Sequence, residues 1–443
     1  MTGGGSKITR GGTGYGWWVL AASFLILFLN AGARMMIGVM IKPIIADFGW
    51  SRAELSAGVF LNTVVTAIAV IVAGHYYDRF GPKVVLLVSS ALFSAGLMLM
   101  MTIGAYWQFL LYYGVIAAAG VGGLVSPLFG AILSKWFDQR RGLAISLATA
   151  GTSLGQFALV PLFSGMLLDI GWQSTMLWVG LLCLVVNVVL VLAVIRGDPR
   201  QIGKLPYGHH EREAKRAAGR PEPASLGLRL AMRTGSFWLF TVAMFICGAG
   251  DTLLTTHLVP MATDSGVSTT TAVAMLAWFG LLSLGGILIA GPASDRIGNR
   301  VPIALTFGFR VLLFVVAFVY QNQASFWLLA LGFGFTFLIT APLTTTLMGR
   351  LYGFGYVGVL GGFITTVHYI GGGLWAYLGG VVYDATGGYS LAMAISAAAS
   401  GVAMICVLFI REVRHLAPVA GEAGPGAEPS AGAATIAGET SGG

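Results

Sequence analysis

The sequence predicts an all-α membrane protein: twelve transmembrane helices arranged as two pseudo-symmetric six-helix bundles. Three observations lead there. Only 9% of the 443 residues are charged, against roughly a quarter in soluble domains, and 56% are apolar. Long apolar runs of about 20 residues, the length needed to cross a bilayer, alternate with short polar loops. One of these loops occurs twice. Gly74-His-Tyr-Tyr-Asp78-Arg79-Phe-Gly81-Pro-Lys83 returns 217 residues later as Gly291-Pro-Ala-Ser-Asp295-Arg296-Ile-Gly298-Asn-Arg300.

The expected spans follow in order. The first, 17–41, opens on Tyr15-Gly16-Trp17-Trp18 and is too long for the 7–15-residue apolar core of a cleavable signal peptide. Spans 54–75 and 84–104 flank the first copy of the loop, and 108–133, 144–168 and 173–195 complete the first half. The second half comprises 236–261, 270–291, 301–320, 324–347, 355–381 and 388–410, with the second loop copy between its second and third members. The chain thus divides into a bundle at 1–195, a charged, proline-bearing linker at 196–235, a bundle at 236–415 and a Gly- and Ala-rich tail at 416–443, expected to be disordered. With 64 glycines, about twice the usual share of roughly 7%, the helices can approach closely.

Charge fixes the expected orientation. With both termini placed in the cytoplasm, 21 of the 25 Lys and Arg residues lie on the cytoplasmic side, and only Lys42 and Arg52 lie in outer loops. The positive-inside rule decides for that topology. It also assigns the net charge of +8 to short loops, not to a nucleic-acid surface. Cys183, Cys247 and Cys406 are far apart inside apolar runs, so no disulfide or metal framework is implied. No nucleophile, metal cluster or phosphate loop of known spacing occurs, so neither an enzyme nor a cofactor is expected.

Twelve spans, the repeat and the Gly-x-x-x-Asp-Arg-x-Gly-x-Lys/Arg loop together resemble the major facilitator superfamily of transporters. That resemblance implies a cytoplasmic gate built from Asp78, Arg79 and Lys83 in one half and Asp295, Arg296 and Arg300 in the other. A narrower likeness rests on Tyr15 to Trp18 and on Trp136-Phe-Asp-Gln139-Arg140-Arg141-Gly-Leu-Ala144, which continues to Gly151 and Gly155. Both segments resemble the monocarboxylate transporter family and its bacterial oxalate:formate antiporter relatives. Gln139 stands where Lys is usual, and Ser146 where Gly is usual. Arg140 and Arg141 are expected to anchor the cytoplasmic end, with Gly151 and Gly155 as a strip of close helix packing. Relatives that carry small carboxylates often have an Asp and an Arg in the eighth span. Here Gly280 and Leu284 occupy those places, which weakens a plain lactate-type assignment.

Charged groups at membrane depth cost at least a few kcal/mol and are functional candidates by default. Arg34 is the leading anion ligand, with Asn30 one turn before it and Tyr112, His368 and Tyr369 as further substrate-binding candidates. An Arg fork holds a carboxylate by two parallel hydrogen bonds; the competing role is snorkelling to the outer interface near Lys42. Asp251 and His368 are the proton-coupling candidates. His257, near Pro260, is expected to cap or gate, and Arg310 to form a structural pair between helices. Asn62, Tyr113, Gln156 and Thr344 to Thr346 are further possible cavity residues. The reading is a multi-pass transporter of a bacterial inner membrane that moves a small, monocarboxylate-like organic anion by alternating access, coupled to a proton. Export of a neutral or amphiphilic compound, anion exchange, and a receptor that binds without translocating are the alternatives.

Overall fold

The computed structural model describes residues 14–207, 226–353 and 356–411, with Gly291 and Asp295 described by backbone alone. The tail at 416–443 and linker residues 208–225 lie outside the described residues. Ten helices are long and apolar enough to cross a membrane. Two of them, Arg52–Thr102 and Arg141–Ala193, have 51 and 53 residues. Straight, each would extend about 75–80 Å, more than twice the roughly 30 Å of hydrocarbon. Each breaks at a glycine with positive φ: Gly81 (φ 77°, ψ 172°) and Gly171 (φ 79°, ψ 164°). Only glycine adopts that conformation without strain.

The breaks yield twelve long helical segments among the described residues. In the first half they are α1 (Tyr15–Phe48), α2 (52–80), α3 (82–99), α4 (Tyr106–Trp136), α5 (141–170) and α6 (172–193). In the second half they are α7 (Gly235–Asp264), α8 (Thr269–Ile297), α9 (Arg300–Val319), α10 (Gln323–Tyr352), α11 (Val357–Thr386) and α12 (Ser390–Leu408). Several helices run past the expected apolar spans, α1 through Pro43 to Phe48 among them, because polar ends continue the backbone hydrogen bonding beyond the greasy stretch. Within α4, Leu110–Ala117 is π-helical, a departure that sequence periodicity does not signal.

The repeat is written into the backbone. Ser51 caps α2 by accepting from Glu54 N at 3.1 Å, and Ser268 caps α8 by accepting from Thr271 N at 3.2 Å. Gly298 ends α8 with φ 77° and ψ 178°, reproducing Gly81. The starts of α2 and α8, and those of α4 and α10, also differ by 217 residues. By the same offset Arg34 in α1 corresponds to Asp251 in α7.

Glycine contacts set the helix pairs. A Cβ on Gly155 would overlap the Phe28 carbonyl oxygen, and one on Gly151 the Phe24 carbonyl, so α5 lies backbone to backbone on α1. In the second half Gly248 meets the His368 carbonyl and Gly371 the Phe245 carbonyl, which brings α11 onto α7. Among the described residues, glycines bring three helix pairs together across the halves: α1 and α7 at Gly38 and Thr255, α2 and α11 at Gly373 with Phe60 and Thr63, and α5 and α8 at Gly280 and Gln156. The C-terminal ends of α1 and α7 lie together with the start of α2. The two Asp-Arg turns, at the far ends of α2 and α8, therefore share the opposite side of the molecule.

Overpacking a tight contact costs about 1–3 kcal/mol. Gly155→Val is expected to lower the melting temperature of the purified protein measurably. Gly165→Val, on the same helix where a Cβ meets nothing within 4 Å, is expected to leave it unchanged.

Candidate functional site

A charge network lies inside the second half. Arg310 of α9, 1% exposed, sends Nη1 to Asp251 Oδ1 at 2.9 Å. Its Nε donates to Thr336 Oγ1 and its Nη2 to the Thr336 carbonyl, each at 3.1 Å, and the guanidinium sits 4.1 Å from the centre of the Phe333 ring. Arg310 is thus the interhelical pair expected for it, and its partner is Asp251. The other carboxylate oxygen, Oδ2, accepts from His368 Nε2 at 3.1 Å and faces Cys247 Sγ at 3.7 Å. Both proton-coupling candidates are therefore in direct contact, on helices that the Gly248 contact holds together. Thr255, one turn after Asp251, donates to the Asp251 backbone carbonyl at 2.9 Å and leaves the carboxylate to these partners. Ligand atoms of Cys247, Asp251 and His368 lie within 4.8 Å of one another. A metal ion fits poorly there, because the Arg310 cation is 3.4 Å from Cys247 Sγ and 2.9 Å from the carboxylate.

Arg34 differs from Arg310. It is half-buried, and among the described residues its guanidinium makes no hydrogen bond or ion pair. Gly38, one turn onward on the same stripe of α1, touches Thr255 of α7, so Arg34 looks toward the seam between the halves. Asp251 lies one turn before Thr255. Arg34 and Asp251 therefore stand at matching levels, about 6 Å along each helix from the α1–α7 contact. The charge of Arg34 is felt at Tyr113 in the π-helical turn of α4, and Asn62 donates to the Tyr113 carbonyl at 2.7 Å.

The other substrate-binding candidates divide. Asn30 is buried in a reciprocal amide pair with Asn187 of α6, at 3.2 and 3.3 Å, and also donates to Ile26 O at 2.7 Å. The structure commits it to packing and does not join it to Arg34. Tyr112 and Tyr369 are half-buried, and His368 keeps 24% of its side chain exposed. Gln156 crosses between halves to donate to Leu276 O at 2.9 Å, while Ser153 meets Ser283 at 2.8 Å. A Cβ on Gly280 would collide with Gln156. The α8 position that bears a charge in carboxylate-carrying relatives is here filled by an α5 side chain.

The sequence did not reveal the strongest ties between halves, which lie at the outer end. Asp264 of α7 accepts from Lys42 at 2.7 Å and Arg52 at 2.6 Å. Asp384 of α11 caps α2 by accepting from the backbone N–H groups of Arg52 and Ala53 at 3.2 and 2.8 Å. The Arg52 guanidinium lies 3.6 Å from the Tyr383 ring centre and donates to Tyr389 OH at 2.8 Å. Burial pushes the Tyr389 hydroxyl up, despite the opposing Arg52 charge, so the phenol keeps its proton. It can then donate to His257 Nδ1 at 2.9 Å, while His257 Nε2 donates to Ala376 O at 2.9 Å. Lys42 and Arg52 looked like ordinary outer-loop charges; only the fold supplies the acids that meet them.

At the other end lie the residues of the expected gate. Asp78, Arg79 and Arg296 are exposed, and Lys83 and Arg300 are half-buried. The Asp295 side chain lies outside the described residues. Arg141 pairs locally with Asp138 at 3.6 Å, and exposed Arg140 opens α5 with φ 55°. The ion pairs that join the halves among the described residues lie at the α1–α7 end.

A profile of the Major Facilitator Superfamily matches residues 23–376, most of the chain. The chain belongs to this superfamily. It is a multi-pass membrane transporter and not an enzyme. Among its relatives, monocarboxylate transporter 13 of Bos taurus is 26% identical over 387 residues, covering 87% of each chain. The oxalate:formate antiporter of Oxalobacter formigenes is 25% identical, covering 89% of this chain and 91% of that one. An uncharacterised superfamily transporter of Bacillus subtilis is 26% identical, covering 89% and 92%. Among solved structures, a D-xylose-proton symporter superposes with a TM-score of 0.70 at 16% identity, covering 91% of this chain and 98% of that one. An inward-facing bacterial homologue of the lysosomal transporter Spinster also gives 0.70, at 15% identity, covering 89% and 97%. These two superpositions establish the superfamily fold.

Removing one member of a buried ion pair strands the other. Asp264→Asn is therefore expected to loosen the outer end and raise the labelling rate of a cysteine placed at Ser56 several-fold, as read by maleimide modification in membranes. An unchanged rate would mean that the Asp264 pairs do not hold that end closed.

Proposed function

We propose that this transporter moves a small, monocarboxylate-like organic anion by alternating access, with a proton as the coupling ion. The observation that carries the anion is Arg34. A cation at membrane depth is costly unless it is paired or faces water. This chain neutralises Arg310, Arg52 and Lys42 with its own carboxylates, yet supplies no partner for Arg34 among the described residues. A bound carboxylate would complete that arrangement. The likeness to monocarboxylate and oxalate:formate carriers supports the same substrate class. The Asp251–His368 pair at a matching level supports proton coupling, since binding and protonation at one depth are exposed and occluded by one motion.

The proposed setting is a bacterial inner membrane, with both termini and the Asp-Arg turns in the cytoplasm as the positive-inside distribution favours. In that orientation the Asp264 and Asp384 ties lie on the outer side. Rocking the halves would break the Asp264 and Asp384 ties. It would bring the exposed Asp78, Arg79 and Lys83 turn toward Arg296 and Arg300. Substrate meets Arg34 at the seam, with Tyr113 behind it, and leaves on the side where the halves part. A second reading, carriage of a neutral or amphiphilic compound, is favoured by one feature: α8 presents Gly280 at its midpoint, covered by Gln156, where a second charge would stand.

Arg34→Ala separates the two. A hydrogen bond to a charged group contributes about 1.5–3 kcal/mol, so carboxylate transport in reconstituted vesicles is expected to fall roughly tenfold or more. Arg34→Lys keeps the charge without the fork and is expected to retain an intermediate rate. Undiminished carboxylate transport by the Ala variant would favour the neutral-substrate reading.

A further inference from the structure

We infer that the coupling proton is carried on His368 Nδ1, and that Asp251 and Arg310 are positioning residues that stay ionised throughout the cycle. This rests on the proton-coupled reading above and narrows it from a pair of candidates to one atom. The reason lies in how the network is closed. Asp251 gives Oδ1 to Arg310 and Oδ2 to His368 and Cys247. Every nitrogen of Arg310 is engaged, by Asp251 and Cys247 on one side and by Thr336 on the other. With 1% and 5% of their side chains exposed, Arg310 and Asp251 cannot turn to another partner without repacking α7, α9 and α10. Protonating Asp251 would leave the guanidinium buried and unneutralised, the arrangement hydrocarbon tolerates least.

His368 stands on the rim of this network, with 24% of its side chain exposed. A carboxylate oxygen only accepts, so the 3.1 Å contact fixes the ring with its proton on Nε2 pointing to Asp251. The lone pair that remains is on Nδ1. Taking a proton there converts the ring to imidazolium, and releasing it restores the neutral ring; Nε2–H, the Asp251 carboxylate and the Arg310 guanidinium are unchanged in both states. The groups facing the ring are few. Asp251 and Cys247 come from α7, with Arg310 behind them from α9. Tyr369 follows on α11 itself. On the other side of α11, α2 presents Phe60 and Thr63 at Gly373, neither of which titrates. Arg34 is the remaining charge at this level. Loading the proton therefore adds one positive charge to a seam where Arg34 has no partner among the described residues, which ties anion binding to protonation.

The test uses the full chain in nanodiscs, labelled with ¹⁵N-histidine. Of six histidine signals, the one missing from His368→Gln is expected to change at Nδ1 across a pH series, from neutral ring to imidazolium. Gln keeps an N–H for Asp251, so that variant removes the titration and retains the contact. Infrared difference spectra of the wild-type chain over the same range are expected to show no protonated carboxyl band of Asp251, with the paired change Asp251→Asn and Arg310→Gln making the assignment. A His368 ring that stays in one state, or an Asp251 carboxyl that titrates, overturns the assignment. Vesicles holding the wild-type chain report separately on the parent reading. Movement of radiolabelled lactate with no accumulation under an imposed proton gradient overturns proton coupling as a whole, and this assignment with it. Proton-driven accumulation together with a titrating Asp251 overturns the assignment alone.

Discussion

Hydrocarbon does not tolerate an unpaired charge, and this constraint organises the protein. Each deeply buried cation has a dedicated acid: Arg310 has Asp251, and Arg52 has Asp264. These pairs also define the architecture, because every acid sits on a different helix from its cation. The Arg310 pair fastens α9 to α7 inside one half, and Arg52 and Lys42 fasten α2 and α1 to α7 across the seam. The first tie is sealed from solvent on all sides. The second is partly open, with 23% of the Asp264 side chain exposed. That difference suits one to a permanent brace and the other to a closure that must open. Arg34 is the exception that gives the site its character.

The duplication explains why the two halves can differ so usefully. The backbone repeats at an offset of 217 residues, through matching serine caps and matching glycine turns. Side chains on that shared frame have diverged. Arg34 in α1 and Asp251 in α7 occupy equivalent places with opposite charge. Arg34 has no acid partner among the described residues; Asp251 is held by Arg310 and in turn contacts a histidine. The contacts between halves are asymmetric as well, since Arg52 has Thr269 as its counterpart. A symmetric scaffold thus carries an asymmetric gate and an asymmetric site.

Much of this was legible in the sequence. Apolar runs, the repeated loop and the Arg140-Arg141 segment were enough for the fold and the superfamily, because bilayer crossing and positive-inside charge leave strong local signatures. The pairing of Arg310 between helices was expected from the peripheral place of the ninth span in the superfamily, and depth alone marked Asp251 and His368 as candidates. What stayed hidden depends on which helix faces which. Asn30 and Arg34 share a stripe by spacing, yet Asn187 draws the first into packing while the second has no partner among the described residues. Lys42 and Arg52 read as ordinary outer charges until α7 and α11 deliver Asp264 and Asp384 to them. The π-helical turn that presents Tyr113 has no periodic signal at all.

Anomalous diffraction from crystals of the full chain soaked with bromoacetate, a small carboxylate carrying a heavy-atom label, addresses the role of Arg34 directly. The expected map has a bromine peak at the seam, with the carboxylate held by both terminal nitrogens of the Arg34 guanidinium. A peak elsewhere in the seam, with Arg34 turned outward to the lipid headgroups, would contradict the assignment of this residue as the anion's partner.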